Sequence, residues 1–154
     1  MRIRIVCEGK LKDAQLRTLA ADYQKRISRF VDLTVEEIKP LRGPGAPSSK
    51  TVSVEEKRLL EKLQESKKVL LDERGRERTS QEFAEWLGEQ ALRGVKEIAF
   101  LVGGPNGFSE SFRQEGTQLM ALSRMTLTHD WARVVLLEQI YRGFTILRGY
   151  PYPR

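Results

Sequence analysis

The chain has 154 residues, of which 40% are hydrophobic and 31% are charged. This length and balance fit one globular domain with a core of ordinary size, and they exclude a disordered or fibrous protein. Twenty-seven Lys and Arg against 21 Asp and Glu give a formal net charge of +6, which suits an anionic partner such as nucleic acid but does not require one.

Two further classes of protein are disfavoured by the sequence. No apolar run approaches the roughly 18 residues that a membrane-spanning helix needs, and the amino terminus lacks the apolar region of a secretory signal. We therefore expect a cytoplasmic protein with no membrane segment. Cys7 is the only cysteine and His129 the only histidine, so we expect no internal disulfide and no metal site.

Strand and helix patterns alternate from the amino terminus onward. Arg2–Cys7 alternates charged and apolar residues as a half-buried strand does. Leu11–Phe30 repeats apolar residues every three or four positions, which predicts an amphipathic helix. Leu33–Ile38 alternates again and predicts a second strand. Pro40–Ser49 holds three of the six prolines and no regular pattern, which indicates a loop.

The middle of the chain continues this alternation. Val54–Leu63 has a short helical pattern, and Lys68–Leu71 is an apolar strand. The sequence Thr79-Ser-Gln-Glu82 matches a capping box, which predicts that a helix begins there. Gly94 follows the last apolar residue of that helix, Leu92, and is expected to end it.

The last third of the chain contains the most apolar strand. Glu97–Val102 predicts a central strand covered on both faces, and it leads into a glycine-rich turn at Gly103–Gly107. Ser109–Gly116 predicts a short helix, Leu122–Leu127 a strand, and Asp130–Leu147 a long helix. Two prolines in the closing RGYPYPR predict an extended tail.

Strands that alternate with helices predict an α/β fold with a mainly parallel sheet. Ligands of such sheets bind at the carboxyl ends of the strands. Three predicted strand ends carry residues suited to this role, namely Leu71–Glu73, Gly103–Gly107 and Met125–His129. The glycines let a ligand approach the backbone closely, although a simple tight turn is the alternative.

Positive charge is concentrated near the two ends of the chain. Residues 1–30 carry eight Lys and Arg against three acids, and residues 101–154 carry six Arg, no Lys and four acids. Arg148 and Arg154 accompany Tyr150 and Tyr152 in the tail. Cations beside stacking rings are typical of proteins that recognise RNA loops, although a frayed terminus is the alternative.

No nucleophile with an adjacent base is evident in the sequence. His129 at a sheet edge is more often a structural residue than a catalyst. Glu138 and Arg142 have the spacing of an ordinary ion pair on a helix, and phosphate binding by Arg142 is the alternative. We therefore expect a protein that positions two reactants while a cofactor carries the chemistry.

Five segments carry a family resemblance, namely IVCEGKLK, YQKRIS, FLVGGPNGFS, SRMTLTHDWARVVLLEQIYRGF and RGYPYPR. In this order, and over nearly the whole chain, they resemble bacterial methyltransferases that modify a pseudouridine of large-subunit ribosomal RNA at N3. Those enzymes are minimal members of the SPOUT class.

The resemblance implies a fold and a reaction. The fold is an α/β domain over residues 1–154, with a mainly parallel sheet, flanking helices and a carboxyl-terminal trefoil knot. The reaction is methyl transfer from S-adenosylmethionine to N3 of a pseudouridine in 23S ribosomal RNA of assembled ribosomes. A homodimer is implied as the active form.

The resemblance also implies which residues form the site. Those implied to surround the cofactor are Leu71, Gly104, Ser123, Arg124, Met125, Thr126, Leu127 and Thr128. Those implied to bind the substrate or RNA are His129, Arg142, Tyr152 and Arg154. No residue is identified as the acceptor of the N3 proton, so the catalytic residue stays unknown.

Two positions depart from the family pattern. Pro153 stands where the family usually has histidine, and Thr128 stands where it usually has proline. Because Pro153 removes an imidazole that could contact the nucleobase, one alternative is a ribosome-binding or assembly module with weakened catalysis. A methyltransferase that acts on transfer RNA is another.

Overall fold

The computed structural model describes residues 1–42, 52–115 and 118–152, which form a sheet with helices on both faces. The strands are β1 (Arg2–Glu8), β2 (Asp32–Ile38), β3 (Lys67–Arg76), β4 (Glu97–Val102) and β5 (Gln118–Met120). The helices are α1 (Ala14–Ile27), α2 (Val54–Lys62), α3 (Ser80–Leu92), α4 (Glu110–Gln114) and α5 (His129–Leu147).

The sheet has the strand order β2-β1-β4-β3-β5, and every pair of neighbours is parallel. The predicted α/β class with a parallel sheet is therefore confirmed. β4 lies at the centre, all six of its residues are buried, and its bounds agree with the prediction. The trefoil knot stays a prediction.

Two hydrophobic clusters cover the two faces of the sheet. Ile3 and Ile5 of β1 face the first cluster, which includes residues of α1, α3 and α5. Val6 faces the second cluster, together with residues of α2 and α4. Successive strand residues point to opposite faces, so β1 contributes to both clusters.

The helices begin at side chains that satisfy their first amide groups. Thr79 and Glu82 form the predicted capping box of α3, and Ser53 and Glu56 form a second one at α2. Gly94 has φ of +77°, the left-handed conformation predicted for the residue after α3. The helix predicted over Leu11–Phe30 is shorter, because Asp13 caps it and α1 begins at Ala14.

The predicted strand Leu122–Leu127 is wrong. β5 ends at Met120, and residues 121–128 form a loop, here called the connecting loop. Its side chains make hydrogen bonds that replace a strand ladder. Ser123 Oγ accepts from the Met125 amide at 2.9 Å, and Thr128 Oγ1 accepts from the Trp131 amide at 3.3 Å.

β3 is longer than the predicted strand Lys68–Leu71 and runs on to Arg76. Its pairing with β5 shifts between Leu71 and Arg76. A Cβ on Gly75 would lie 2.4 Å from the Met120 amide nitrogen, so only glycine allows the two backbones to approach this closely.

Two predictions fall partly on residues that the structure does not describe. The predicted loop Pro40–Ser49 lies outside the described residues from 43 onward, and Gly116, at the end of the predicted short helix, lies outside them too. Within residues 1–42, 52–115 and 118–152, no helix is long and apolar enough to cross a membrane.

Candidate functional site

A cavity of about 560 Å³ opens at the carboxyl edge of the sheet, and we call it the edge cavity. It lies between β3, the glycine turn at Gly103–Gly107 and the connecting loop. Its volume falls within the range of roughly 300–1,000 Å³ that is usual for small-molecule sites. Its location agrees with the expectation that a ligand binds where the parallel strands end.

The edge cavity brings together most of the residues that the resemblance implied for the cofactor. Those that line it are Leu71, Gly104, Ser123, Met125, Thr126 and Leu127. Arg124 and Thr128 are not part of the lining. The Arg124 side chain is exposed, and the Thr128 hydroxyl caps α5.

A buried carboxylate from β1 holds the glycine turn. Glu8 Oε2 accepts from the Gly104 amide at 2.6 Å, and Oε1 accepts from the Leu41 amide at 2.7 Å. A Cβ on Gly104 would lie 3.3 Å from the Glu8 Cβ. Glycine therefore allows the turn to lie directly against Glu8.

A second buried carboxylate fixes the other side of the glycine turn. Glu56, with 0% of its surface exposed, accepts from the Ser109 amide at 2.8 Å and from the Ser109 hydroxyl at 2.7 Å. It also accepts from the Ser53 amide at 2.9 Å. One carboxylate thus joins the start of α2 to the start of α4.

Charged side chains line the outer wall of the edge cavity. The Asp72 carboxylate accepts hydrogen bonds from the Arg74 backbone and side chain, and Arg113 Nε lies 2.9 Å from Asp72 Oδ2. Burial favours the neutral carboxyl, but hydrogen bonds from Arg74 and attraction by Arg113 outweigh it and lower the pKa of Asp72. Asp72 is therefore an anion at neutral pH.

The connecting loop is attached to β3 at two points. Thr126 Oγ1 donates to Glu73 Oε2 at 2.7 Å, and the Ala121 amide donates to the Arg76 carbonyl at 3.1 Å. These contacts keep the loop over the cavity without a strand ladder. Met125, at the tip of the loop, is 78% exposed.

The start of α5 is anchored to the same edge of the sheet. Arg133 is buried, and it donates to the Gly9 carbonyl at 3.0 Å and lies 3.4 Å from Glu37 Oε2. His129, the first residue of α5, is half-buried.

Burial raises the pKa of the Cys7 thiol to about 11, so Cys7 is not a nucleophile at neutral pH.

A second group of side chains, here called the tail cluster, consists of Tyr23, Glu138, Tyr141, Arg142 and Tyr152. Arg142 Nη2 donates to Glu138 Oε1 at 2.6 Å, which is the predicted ion pair. The Arg142 guanidinium also lies 4.9 Å from the centre of the Tyr152 ring. The structure thus brings together two of the residues implied for the substrate.

Tyr152 is held on both sides within the tail cluster. Its hydroxyl lies 2.9 Å from the Tyr23 hydroxyl and donates to Glu138 Oε1 at 3.3 Å. Its ring packs edge-on against Tyr141 at 4.6 Å between centroids. Burial, followed by the hydrogen bond with Tyr23, raises the pKa of Tyr152 and keeps it protonated.

His129 does not join the tail cluster. It lies 13 positions before Arg142 on α5, which separates the two by roughly 20 Å at 1.5 Å per residue. Arg154, also implied for RNA binding, lies outside the described residues.

Among the described residues no group of three or more His, Cys, Asp or Glu is placed to hold a metal ion.

Comparison with known proteins decides the family. A family model described as "Predicted SPOUT methyltransferase" matches residues 1–153. The chain belongs to the SPOUT methyltransferase family. Members of this family take their methyl group from S-adenosylmethionine, so the predicted cofactor is confirmed at the level of the family.

Full-length relatives of this SPOUT methyltransferase share one name. "Ribosomal RNA large subunit methyltransferase H" of Geobacter metallireducens is 42% identical over 99% of this chain and 98% of its own length. The protein of the same name from Lactobacillus acidophilus is 36% identical and is covered to 99% on both sides. The family resemblance predicted from five segments is thus confirmed over the whole chain.

A solved structure supports the fold of this SPOUT methyltransferase. A probable methylase family protein from Haemophilus influenzae superposes with a TM-score of 0.56 over 99% of this chain and 70% of that chain. The two sequences are 15% identical, so this likeness concerns the fold alone.

Several residues of the candidate site were not assigned from the sequence. Asp72 and Glu73 follow Leu71 at a predicted strand end, so the topology argument located them without giving them a role. No sequence signal connected Glu56 with Ser109, because they meet only when α2 and α4 cover the same face of the sheet. Tyr23 likewise meets Tyr152 across 129 positions.

Proposed function

We propose that this chain transfers a methyl group from S-adenosylmethionine to N3 of a pseudouridine in 23S ribosomal RNA of assembled ribosomes. The observation that carries the proposal is similarity over 99% of the chain to relatives named ribosomal RNA large subunit methyltransferases. The edge cavity supports it independently, because it is a site of suitable size at the sheet edge where ligands bind.

The lining of the edge cavity fits the cofactor. S-adenosylmethionine, when bound, supplies a methyl group activated by a sulfonium cation. Leu71 and Leu127 offer apolar contact for the adenine, and Gly104 lines the cavity beside them without a side chain. Asp72, Glu73 and Arg113 place charges of both signs on the lining, which suits the zwitterionic methionine part of the cofactor.

We propose that His129, Arg142, Tyr152 and Arg154 bind the RNA substrate. Arg142 offers a planar donor suited to an RNA phosphate or a base carbonyl, and Glu138 fixes its direction. Glu138 already accepts hydrogen bonds from Arg142, so it is not assigned as the proton acceptor. The acceptor of the N3 proton stays unassigned, and water or an RNA group can serve.

We further propose that the active form is a homodimer. His129 and the edge cavity lie at the start of α5, whereas the tail cluster lies nearer its end, so one chain does not bring them to one nucleotide. Met125 and Trp131, which are 78% and 50% exposed, flank the edge cavity and provide apolar surface for a second copy. Sedimentation equilibrium is expected to give twice the chain mass, and a monomer would contradict this part.

We also propose that residues 1–154 form one domain, that this domain contains a trefoil knot, and that the protein is cytoplasmic. The family match over residues 1–153 supports the single domain. Limited proteolysis of the folded protein is expected to leave no stable fragment, whereas two resistant fragments would indicate two domains.

The decisive experiment is a ribosome methylation assay. Purified protein, radiolabelled S-adenosylmethionine and ribosomes from a strain that lacks the modification are expected to yield labelled 23S RNA. Mass spectrometry of nuclease fragments then locates the methyl group on a pseudouridine. Label in transfer RNA instead would favour the alternative substrate, and failure to bind the cofactor would overturn the proposal.

Pro153, which stands where the family usually has histidine, can be tested in the same assay. Cofactor binding without transfer by the natural protein would favour a ribosome-binding module. The variant Pro153→His is then expected to regain transfer if the missing imidazole is the cause. Equal turnover by the natural protein and the variant would show that proline is sufficient at this position.

A further inference from the structure

A second cleft, of about 280 Å³, lies beside the last turn of α5 and shares no residue with the edge cavity. It is lined by Arg29, Phe30, Tyr141, Arg148 and Tyr150, and we call it the aromatic cleft. Its volume is slightly below the roughly 300 Å³ at which sites for drug-sized ligands begin. It therefore suits one nucleotide-sized group better than an extended ligand.

Tyr150 presents a fixed aromatic surface in this cleft. Its amide donates to the Thr145 carbonyl at 2.9 Å, and Gly149 before it adopts φ of +65°, so the end of α5 fixes the backbone. Its ring lies 5.8 Å from the ring of Phe30, yet 59% of the residue is exposed. A ring held in place with open surface can stack on a flat ligand without first losing conformational freedom.

The base of the cleft is rigid as well. Phe30 stacks on Phe144 at 5.9 Å between centroids with an interplanar angle of 9°, and it contacts Tyr141 at 6.0 Å. Phe144 belongs to the first of the two hydrophobic clusters, the one packed between the sheet and α1, α3 and α5. The aromatic surface is thus continuous with the core of the protein.

Two cations border the aromatic surface and have no acidic partner among the residues that the structure describes. Within the described part of the chain, neither Arg29 nor Arg148 makes a side-chain hydrogen bond or an ion pair. The neighbouring Arg26, by contrast, pairs with Asp22 at 2.9 Å. Two cations beside an open ring, unpaired within residues 1–42, 52–115 and 118–152, match a ligand that joins a flat base to a phosphate.

We propose that the aromatic cleft binds one unstacked nucleotide of the RNA substrate, with the base on Tyr150 and the phosphate at Arg29 and Arg148. This inference rests on the proposed function and deepens it by adding a second RNA contact. Proteins that recognise RNA loops hold splayed bases on aromatic rings in this way.

The position of the cleft indicates which nucleotide it takes. Tyr141 belongs both to the aromatic cleft and to the tail cluster, where it packs against Tyr152. Arg148 follows Arg142 by six positions, or roughly 9 Å along α5. The bound nucleotide is therefore a close neighbour of the one that Arg142 contacts, and it sets the register of the RNA.

The test measures binding of the full-length protein to unmodified ribosomes by cosedimentation at several salt concentrations. Tyr150→Ala is expected to weaken binding about tenfold, since one stacked base is worth roughly 1–3 kcal/mol, whereas Tyr150→Phe keeps the ring and binds normally. The double variant Arg29→Gln, Arg148→Gln is expected to reduce the slope of log affinity against log salt by about 0.7, the value for the loss of one phosphate contact.

Matched controls lie at the end of α3, on residues that do not line the cleft. Leu92 is 90% exposed, and Arg93 pairs only with exposed Glu89 at 3.7 Å. Leu92→Ala and Arg93→Gln are expected to bind ribosomes as the natural protein does. Calorimetry is expected to give the same affinity for S-adenosylmethionine in every variant.

Two results would overturn the inference. Ribosome binding that is unchanged in Tyr150→Ala and in the arginine double variant would remove the RNA contact. Loss of self-association by Tyr150→Ala, seen in sedimentation without ribosomes, would assign the cleft to a subunit interface instead. If the natural protein binds ribosomes but transfers no methyl group, the proposed function fails while these binding measurements still decide the role of the cleft.

Discussion

The edge cavity and the tail cluster are held in place by different kinds of contact, the first mainly through backbone amides and the second through side chains. The glycine turn of the edge cavity is positioned through backbone amides: Glu8 accepts from the Gly104 amide within the turn, and Glu56 accepts from the Ser109 amide just after it. The tail cluster is held by contacts between side chains, because Arg142 and Tyr152 both donate to the Glu138 carboxylate. Changes at Glu8 or Glu56 are therefore expected to disturb folding and cofactor binding together, whereas changes in the tail cluster are expected to alter substrate handling and leave cofactor binding unchanged.

The largest effect is expected at Gly75, where β3 and β5 are closest. Gly75→Ala places a Cβ 2.4 Å from the Met120 amide nitrogen, and neither backbone can move without opening the sheet. We expect a loss of about 3 kcal/mol in the free energy of unfolding, at the upper end of overpacking costs, together with weaker cofactor binding. Urea unfolding and calorimetry measure the two effects.

Gly88→Ala in α3 is the matched control for this change. Its Cβ would meet the Leu147 Cδ2 at 3.1 Å, the end of a flexible side chain. Alanine also favours a helix over glycine by about 1 kcal/mol, so this variant is expected to be as stable as the natural protein or more so. Equal stability of the two alanine variants would contradict the close approach of β3 and β5.

Removal of the buried carboxylate at Glu56 is expected to have the next largest effect. Glu56→Ala leaves the Ser109 amide and hydroxyl and the Ser53 amide without their acceptor, which costs about 2–3 kcal/mol in the free energy of unfolding. The affinity for S-adenosylmethionine is expected to fall as well, because the glycine turn loses its support.

Glu61→Ala, on the exposed face of the same helix, is the control and is expected to change stability by less than about 0.5 kcal/mol. Normal cofactor affinity in a folded Glu56→Ala protein would separate the glycine turn from the cofactor site. Folding and cofactor binding would then not be coupled at the edge cavity, and the cavity would not differ from the tail cluster in this respect.

Tyr152→Phe tests the other side of the comparison. The variant loses the hydroxyl contacts with Tyr23 and Glu138 but keeps its ring against Tyr141. A cost of about 1 kcal/mol in stability is expected for the lost hydrogen bonds. Methyl transfer to ribosomes is expected to fall about tenfold while cofactor affinity stays normal, because 1.4 kcal/mol in positioning corresponds to tenfold in rate.

Tyr23→Phe provides the control for Tyr152→Phe, since it removes the same hydroxyl pair but leaves the contact of Tyr152 with Glu138. A smaller loss of transfer is expected. If Tyr152→Phe weakens cofactor binding as much as transfer, the two regions are not separate in function.

The smallest effect is a dependence of stability on pH at Asp72. Because the folded pKa of Asp72 is lowered, its ionised form stabilises the protein above the ordinary value of 3.8, and this contribution is lost as pH falls through the folded pKa. Asp72→Asn is expected to cost under about 1 kcal/mol at pH 7, since Arg74 is largely exposed.

The measurement is urea unfolding of both proteins at pH 7 and at pH 3. The stability difference between the natural protein and Asp72→Asn is expected to shrink at pH 3. A difference that grows as pH falls would mean that Asp72 does not depend on its negative charge for these contacts.

Patterns local in sequence predicted the strands and helices well. The apolar run Glu97–Val102 predicted the central strand with correct bounds, and Thr79 with Glu82 predicted the capping box. The rule that ligands bind at the carboxyl ends of parallel strands also located the edge cavity. Each of these features depends on residues that are close in sequence or on general topology.

Features that depend on distant side chains were beyond the sequence patterns. The connecting loop contains enough apolar residues to resemble a strand, but Thr126 bonds to Glu73 across 53 positions and competes with a ladder. The contact of Tyr23 with Tyr152 and that of Glu56 with Ser109 exist only after the helices pack. The family resemblance, rather than periodicity, indicated that Arg142 and Tyr152 act together.

The central claim is that the edge cavity holds S-adenosylmethionine. A crystal structure of the protein with S-adenosylhomocysteine, the demethylated cofactor, tests this most directly. We expect density for the ligand against Leu71, Gly104 and the connecting loop. Density in the aromatic cleft or elsewhere, or no binding at saturating concentration, would contradict the claim.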